Sequence, residues 1–233
     1  MLRVLISALF AVSITACATP FYVSVDSIAA TSPKQFRTYL MLPGNEDGNF
    51  DDLQYKEYSA YLAKALAEKG YVPADSFETA DLAVVLSYGI SDPQTQQYTY
   101  SLPVYGQTGV SSSTTTGTAY SYGNSTTISA NTTYTPSYGV TGYSTHVGSV
   151  TTFFRFARIE AYDLAEYRES DRQLQIWSTK IVSTGTSGDL RRIFPMLIAA
   201  GYPYLGTNTG KRIDLTMHEG DKSAKWIRGE QID

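Results

Sequence analysis

A single cysteine, Cys17, excludes an internal disulfide. Only two histidines occur, His146 and His218, each expected as a solvated side chain, so a His-based acid–base site is not expected. No G-x-S-x-G elbow, H-E-x-x-H pair or phosphate loop is present, and the chain reads as non-enzymatic. Charged residues make up 17% of the chain, below the usual quarter or so. The net charge of −4 argues against a nucleic-acid partner, which needs a basic patch. Residues 45–51 (Asn-Glu-Asp-Gly-Asn-Phe-Asp) approach a calcium loop, but Phe50 stands where the tight turn needs Gly and Lys56 where the bidentate Glu belongs. They read as a polar turn leading to a helix cap. No metal or cofactor is expected.

What is present begins at the N-terminus. Arg3 is followed by an almost unbroken apolar run from Val4 to Val12, then by Ile14-Thr15-Ala16-Cys17. That order is a bacterial lipoprotein signal over residues 1–16, cleaved before a cysteine that carries lipid. The run is too short to span roughly 30 Å of hydrocarbon. One acyl chain holds a protein only marginally, whereas several anchor it stably. By the sorting pattern of the lipoproteins this segment resembles, Ala18 after the cysteine points to the outer membrane, with the chain facing the periplasm. Residues 17–34 read as a lipidated leader, with Thr31-Ser32-Pro33 as punctuation.

Between residues 35 and 217 the pattern alternates strand and helix. Phe36–Leu42 reads as a strand stopped by Pro43-Gly44. Tyr55, Tyr58, Leu62, Ala65 and Leu66 lie on one stripe of a helix over 51–69. Leu82–Tyr88 is apolar on both faces, as in a central strand. Val150–Tyr162 and Leu174–Val182 read as an antiparallel pair around a charged turn at 163–172. Arg155, Arg158 and Glu160 are expected on the solvated or salt-bridged outer face of the first of these. Ser187 is expected to cap a second helix over 189–200, in which Pro195 predicts a kink or restart. Ile213, Leu215 and Met217 alternate with polar residues as a last strand, and 218–233 reads as a charged tail. The expected fold is α+β: one domain, with a mostly antiparallel sheet covered by two helices.

An insertion over 91–149 interrupts that domain. It is built from Tyr, Thr, Ser, Gly, Gln and Asn, with no Asp, Glu, Lys or Arg between Asp92 and Arg155. Such composition cannot bury enough aliphatic surface for its own core. Tyr and Thr nevertheless favour extended structure, and Tyr98/Tyr100 and Tyr120/Tyr122 alternate. A disordered loop and a projecting polar β-hairpin both remain open. Tyrosine gives large contact area at low entropy cost, which suits a binding loop. Tyr98, Tyr100, Tyr120, Tyr122, Tyr134 and Tyr138 are therefore the candidate partner contacts. Uncharged runs of this kind are also prone to edge pairing, so self-association is the alternative.

The chain resembles the bacterial envelope lipoproteins of domain-of-unknown-function family 4136. The resemblance rests on the lipobox, Phe36-Arg37-Thr38-Tyr39 before a strand and Pro43, and the stretches 62–71, 80–84, 174–178 and 194–197. It implies an envelope location and an α+β fold, and it brings no activity and no catalytic residues. The expected partners are the membrane, through the lipid on Cys17, and an envelope macromolecule or a second copy of the chain. Changing Cys17→Ser is expected to release the protein from the membrane fraction or leave its signal uncleaved. Fractionation of cells followed by mass measurement of the N-terminus checks this, and membrane-bound, processed protein would contradict it.

Overall fold

The computed structural model describes residues 20–31 and 35–231; Cys17 and the signal segment lie outside them. The chain divides into two units, one comprising the residues up to Gln94 and from Thr152 onward, the other Thr95–Thr151. In chain order the elements are β1 (Phe21–Ala29), β2 (Thr38–Pro43), α1 (Leu53–Glu68), β3 (Val72–Pro73), β4 (Leu82–Ile90), β5 (Gln94–Tyr122), β6 (Ser125–Asp163), α2 (Leu164–Ser170), β7 (Gln175–Gly185), α3 (Leu190–Gly201), a 3₁₀ turn at Tyr202–Tyr204, β8 (Ile213–Met217) and α4 (Lys222–Arg228).

The first unit is built on one mixed sheet in the order β3-β2-β4-β6-β7-β1-β8. β2 runs parallel to β3 and β4, and every other neighbouring pair along that order is antiparallel. This is an α+β fold with a mostly antiparallel sheet. β4 does occupy an interior position, consistent with its continuous apolar sequence. Period-2 alternation puts Val23 and Val25 of β1, Val84 and Leu86 of β4, Ala157 and Ile159 of β6, and Trp177 and Ile181 of β7 into the main core. Leu62 and Leu66 of α1, Ile193, Phe194 and Leu197 of α3, and Ala224 and Ile227 of α4 close the same core. On the other face Leu164 of α2 packs with Ala80 and Ala83 in a small satellite cluster.

Several expectations change. Residues 21–29 are no leader: β1 pairs with β7 over Val23–Ala29 and with β8 over Phe21–Val25, so both of its edges are satisfied. The charged turn at 163–172 contains α2, whose N-cap Asp163 accepts the Glu166 amide at 3.1 Å. The charged tail contains α4, with Ala224 and Ile227 buried and Trp226 lying 5.4 Å from Tyr202. Arg155 does not face solvent, because it shares the parity of Ala157 and Ile159 and is buried at the core end of the row. Arg158 and Glu160 do lie on the opposite face as an ion pair at 2.8 Å. In α3 the cap is Asp189, which accepts the Arg192 amide at 3.0 Å, and the helix runs unbroken through Pro195.

Asp81 ties three elements together just before β4. Its carboxylate accepts the backbone amides of Arg37 and Thr38, both at 2.8 Å, and its carbonyl accepts the Leu164 amide at 2.9 Å. Burial pushes the Asp81 carboxyl up, and the bonds from Thr38 and Arg37 outweigh it, so the group sits below its ordinary value. A depressed carboxylate contributes stability above its unfolded value, and that contribution is lost as pH falls through the folded value. Asp81→Ala is therefore expected to cost about 1–2 kcal/mol, allowing for partial exposure. Urea denaturation should show this at neutral pH, with the gap between wild type and Asp81→Asn closing in acid.

Candidate functional site

The second unit, Thr95–Thr151, is a two-stranded ribbon made of β5 and the first part of β6. Hydroxyl pairs mark its antiparallel register: Thr95 with Thr151 at 2.8 Å, Thr115 with Thr132 at 2.9 Å and Ser121 with Thr126 at 2.9 Å. Thr and Ser are favoured here because each hydroxyl can both donate and accept across the ladder, and each pair contributes about 0.2–1 kcal/mol. The reversal is the two-residue turn Gly123-Asn124. Gly123 has φ +63°, which a first central residue of a type II′ turn requires and other residues resist.

The six tyrosines expected as contacts all lie on this ribbon and are exposed, from 44% for Tyr100 to 93% for Tyr122. They are not brought into one cluster. Tyr98 and Tyr100 lie 6.1 Å apart, and Tyr100 stacks on His146 at 5.6 Å with planes 23° apart. His146 is exposed, as expected, and its ring joins an aromatic patch. Tyr98 covers Gly148, where a Cβ would come within 2.7 Å of its ring. Among the described residues, Tyr120, Tyr122, Tyr134 and Tyr138 make no ring contact. Tyr105 and Tyr143, which alternation alone did not single out, are each exposed by 72%. A two-stranded ribbon with both faces wet offers aromatic area and backbone edges.

Two of the clefts of the first unit have distinctive linings. One, of about 490 Å³, is lined by Glu57, Tyr61, Asp189, Arg191, Arg192 and Arg228 among others. Its charges pair off: Arg191 with Glu57 at 2.8 Å, Arg192 with Glu219, and Arg228 with Glu230 at 2.5 Å. Arg191 and Arg192 are held above their ordinary values first by the hydrogen bonds to those carboxylates. The arrangement links α1 to α3, and α3 to the turn before α4. The other, of about 390 Å³, lies by α2 and is lined by Leu42, Val85, Tyr162, Leu164 and Tyr167 among others. The calcium-like stretch is consumed locally: Asn45 exchanges hydrogen bonds with the Tyr88 backbone, Asp51 pairs with Lys56, and Asp52 caps α1.

The turn sets the stability of the ribbon tip, since an isolated two-stranded hairpin is marginal in water. Gly123→Ala forces a left-handed residue and should cost about 1–2 kcal/mol. Hydrogen exchange is expected to quicken at residues 115–132 while β4 and β7 keep their protection. Unchanged exchange at the tip would contradict this geometry.

No protein-family model matches the chain, and no curated protein does. Among solved structures the chain is similar to a PDZ domain protein from Parabacteroides distasonis, at 9% identity and a TM-score of 0.34, over 85% of this chain and 39% of that one. It is also similar to the lysenin pore at 8% identity and a TM-score of 0.10, over 86% of this chain and 49% of that one. The chain thus spans less than half the length of either, and likeness at these scores carries no argument about fold or function.

Proposed function

We propose that this chain is a lipid-anchored lipoprotein of the bacterial outer membrane, facing the periplasm. In this reading it is not an enzyme, and it docks another envelope macromolecule through the Tyr/Thr-rich residues 91–149. The lipobox ending at Cys17 supports the anchor, and the resemblance to domain-of-unknown-function family 4136 supports the compartment. The observation that carries the docking role is the ribbon itself. Its tyrosines stand in water on a unit with no apolar core, where a contact surface gains most from being covered. β1 starts at Phe21, four residues after Cys17, so the lipid would hold that end of β1 within about 14 Å of the bilayer. A 17-residue leader would permit a stand-off of up to about 60 Å.

A second reading has an observation of its own. Within 95–151, β5 pairs with β6 alone, so each strand leaves one backbone edge unpaired among the described residues. No charge between Asp92 and Arg155 protects those edges. Ribbons of two copies could therefore join edge to edge.

One variant separates the readings. Replacing residues 96–150 by Asn-Gly joins Thr95 to Thr151, which already face each other, by a short turn. In-cell crosslinking with mass identification should show a partner of different sequence that the shortened variant loses. Loss of a homo-oligomer instead would favour edge pairing. Identical crosslinks and size for both proteins would overturn both readings.

A further inference from the structure

Arg155 sits apart from every other cation of the described residues. Its side chain is 1% exposed, and among the described residues no carboxylate pairs with it. Its guanidinium donates to two neutral oxygens only, the Ser187 carbonyl at 2.9 Å and Ser183 Oγ at 2.8 Å. Its Nε–H is buried with no partner at all. Burial alone pulls this group below its ordinary value, with no opposing carboxylate. A buried charge normally costs several kcal/mol unless an opposite charge meets it.

The space beside it supplies room for that charge. A cavity of about 130 Å³ is lined by Pro20, Phe21, Arg155, Thr184, Ser187 and Arg192. By volume it holds a few waters or one phosphate-sized oxyanion. A second arginine, Arg192, also lines it, together with Thr186 and Ser187 of the loop between β7 and α3. Among the described residues, Glu219 is the one carboxylate ion-paired with either arginine, through Arg192.

We propose that this cavity is a binding site for a phosphate-type oxyanion, with Arg155 as its buried counter-charge and Arg192 as its outer one. The bound charge answers the otherwise unmatched guanidinium, and Ser187 in the lining adds a short polar side chain. The oxyanion has two sources: free phosphate, or the headgroup of a membrane phospholipid. The second rests on the lipid-anchor reading above. Cys17 is three residues from Pro20 in the cavity wall, a chain length of about 10 Å.

The test uses the full protein as cells produce it, in nonionic detergent, with inorganic phosphate as probe and chloride at equal ionic strength as control. Phosphate is expected to raise the melting temperature saturably, and chloride is not. Arg155→Met is expected to fold, since an apolar side chain replaces an unpaired buried charge, and to lose the phosphate response. Arg192→Gln is expected to raise the half-saturating phosphate concentration about two- to fivefold, the range an exposed charge supplies. Wild type that responds equally to phosphate and chloride, or folded R155M that still responds to phosphate, overturns the site. Should R155M not fold, the wild-type comparison and Arg192→Gln decide it, and an unshifted Arg192→Gln curve then counts against it.

Reconstitution in vesicles distinguishes the sources. If a headgroup fills the site, added phosphate stabilises the protein in phosphate-free galactolipid vesicles and not in phosphatidylglycerol vesicles. If free phosphate is the ligand, it stabilises in both. Stabilisation in neither overturns the site. Flotation with the vesicles reports the lipid anchor separately; if flotation fails, the detergent titration alone decides whether Arg155 binds the oxyanion.

Discussion

Phe194 of α3 lies flat against Tyr58 of α1, with centroids 3.9 Å apart and planes within 7°. Tyr88 of β4 meets both rings edge-on, at 4.8 and 5.7 Å. These three side chains join two helices and a strand through one contact, and each aromatic buries about 150–250 Å². Gln54 Nε2 donates to the Tyr58 hydroxyl at 3.2 Å, so the ring enters the core without an unmatched hydroxyl. Burial pushes Tyr58 up to about 12, which keeps it neutral where a phenolate would not be tolerated.

That contact explains the layout of the helical layer. From Ile193 to Gly201 every residue of α3 is buried, which leaves this stretch no wet face. It must be covered on several sides. The sheet covers one, α1 a second through Tyr58, and α4 a third through Ala224 and Ile227. The last is why a charged C-terminal segment folds back: its apolar positions complete a surface that α3 leaves open. Ion pairs at the periphery, such as Arg191 with Glu57, then sit on packing already formed and add little by themselves.

The ribbon at 95–151 obeys a different rule. It has no core, so the entropy of ordering its residues is opposed mainly by backbone pairing and by hydroxyl pairs such as Thr115–Thr132. Local devices matter more there: a glycine at the turn, an aromatic ring over Gly148, a ring stack on His146. Arg155 stands at the opposite extreme. It is a full charge placed by strand parity inside the packed unit, with two neutral oxygens around it.

Much of the first unit was legible in the residues themselves. The helical stripe of Tyr55, Tyr58, Leu62, Ala65 and Leu66 is the buried face of α1, and 82–88 is an interior strand, because apolar periodicity reports burial directly. The exposure of the six tyrosines also followed from a segment too polar to bury them. Other features depended on partners distant in sequence. Phe21–Ala29 carries a modest alternation, and becomes a strand because β7 and β8 saturate both its edges. Lys222–Arg228 is a short charged helix that holds because α3 presents an uncovered face. Arg155 has the composition of a surface residue, and only the register of β6 against β7, pairing it with Ser183, turned it inward. Local pattern determines what a segment can bury; the pairing register and the neighbouring faces determine which side it buries and what it meets there.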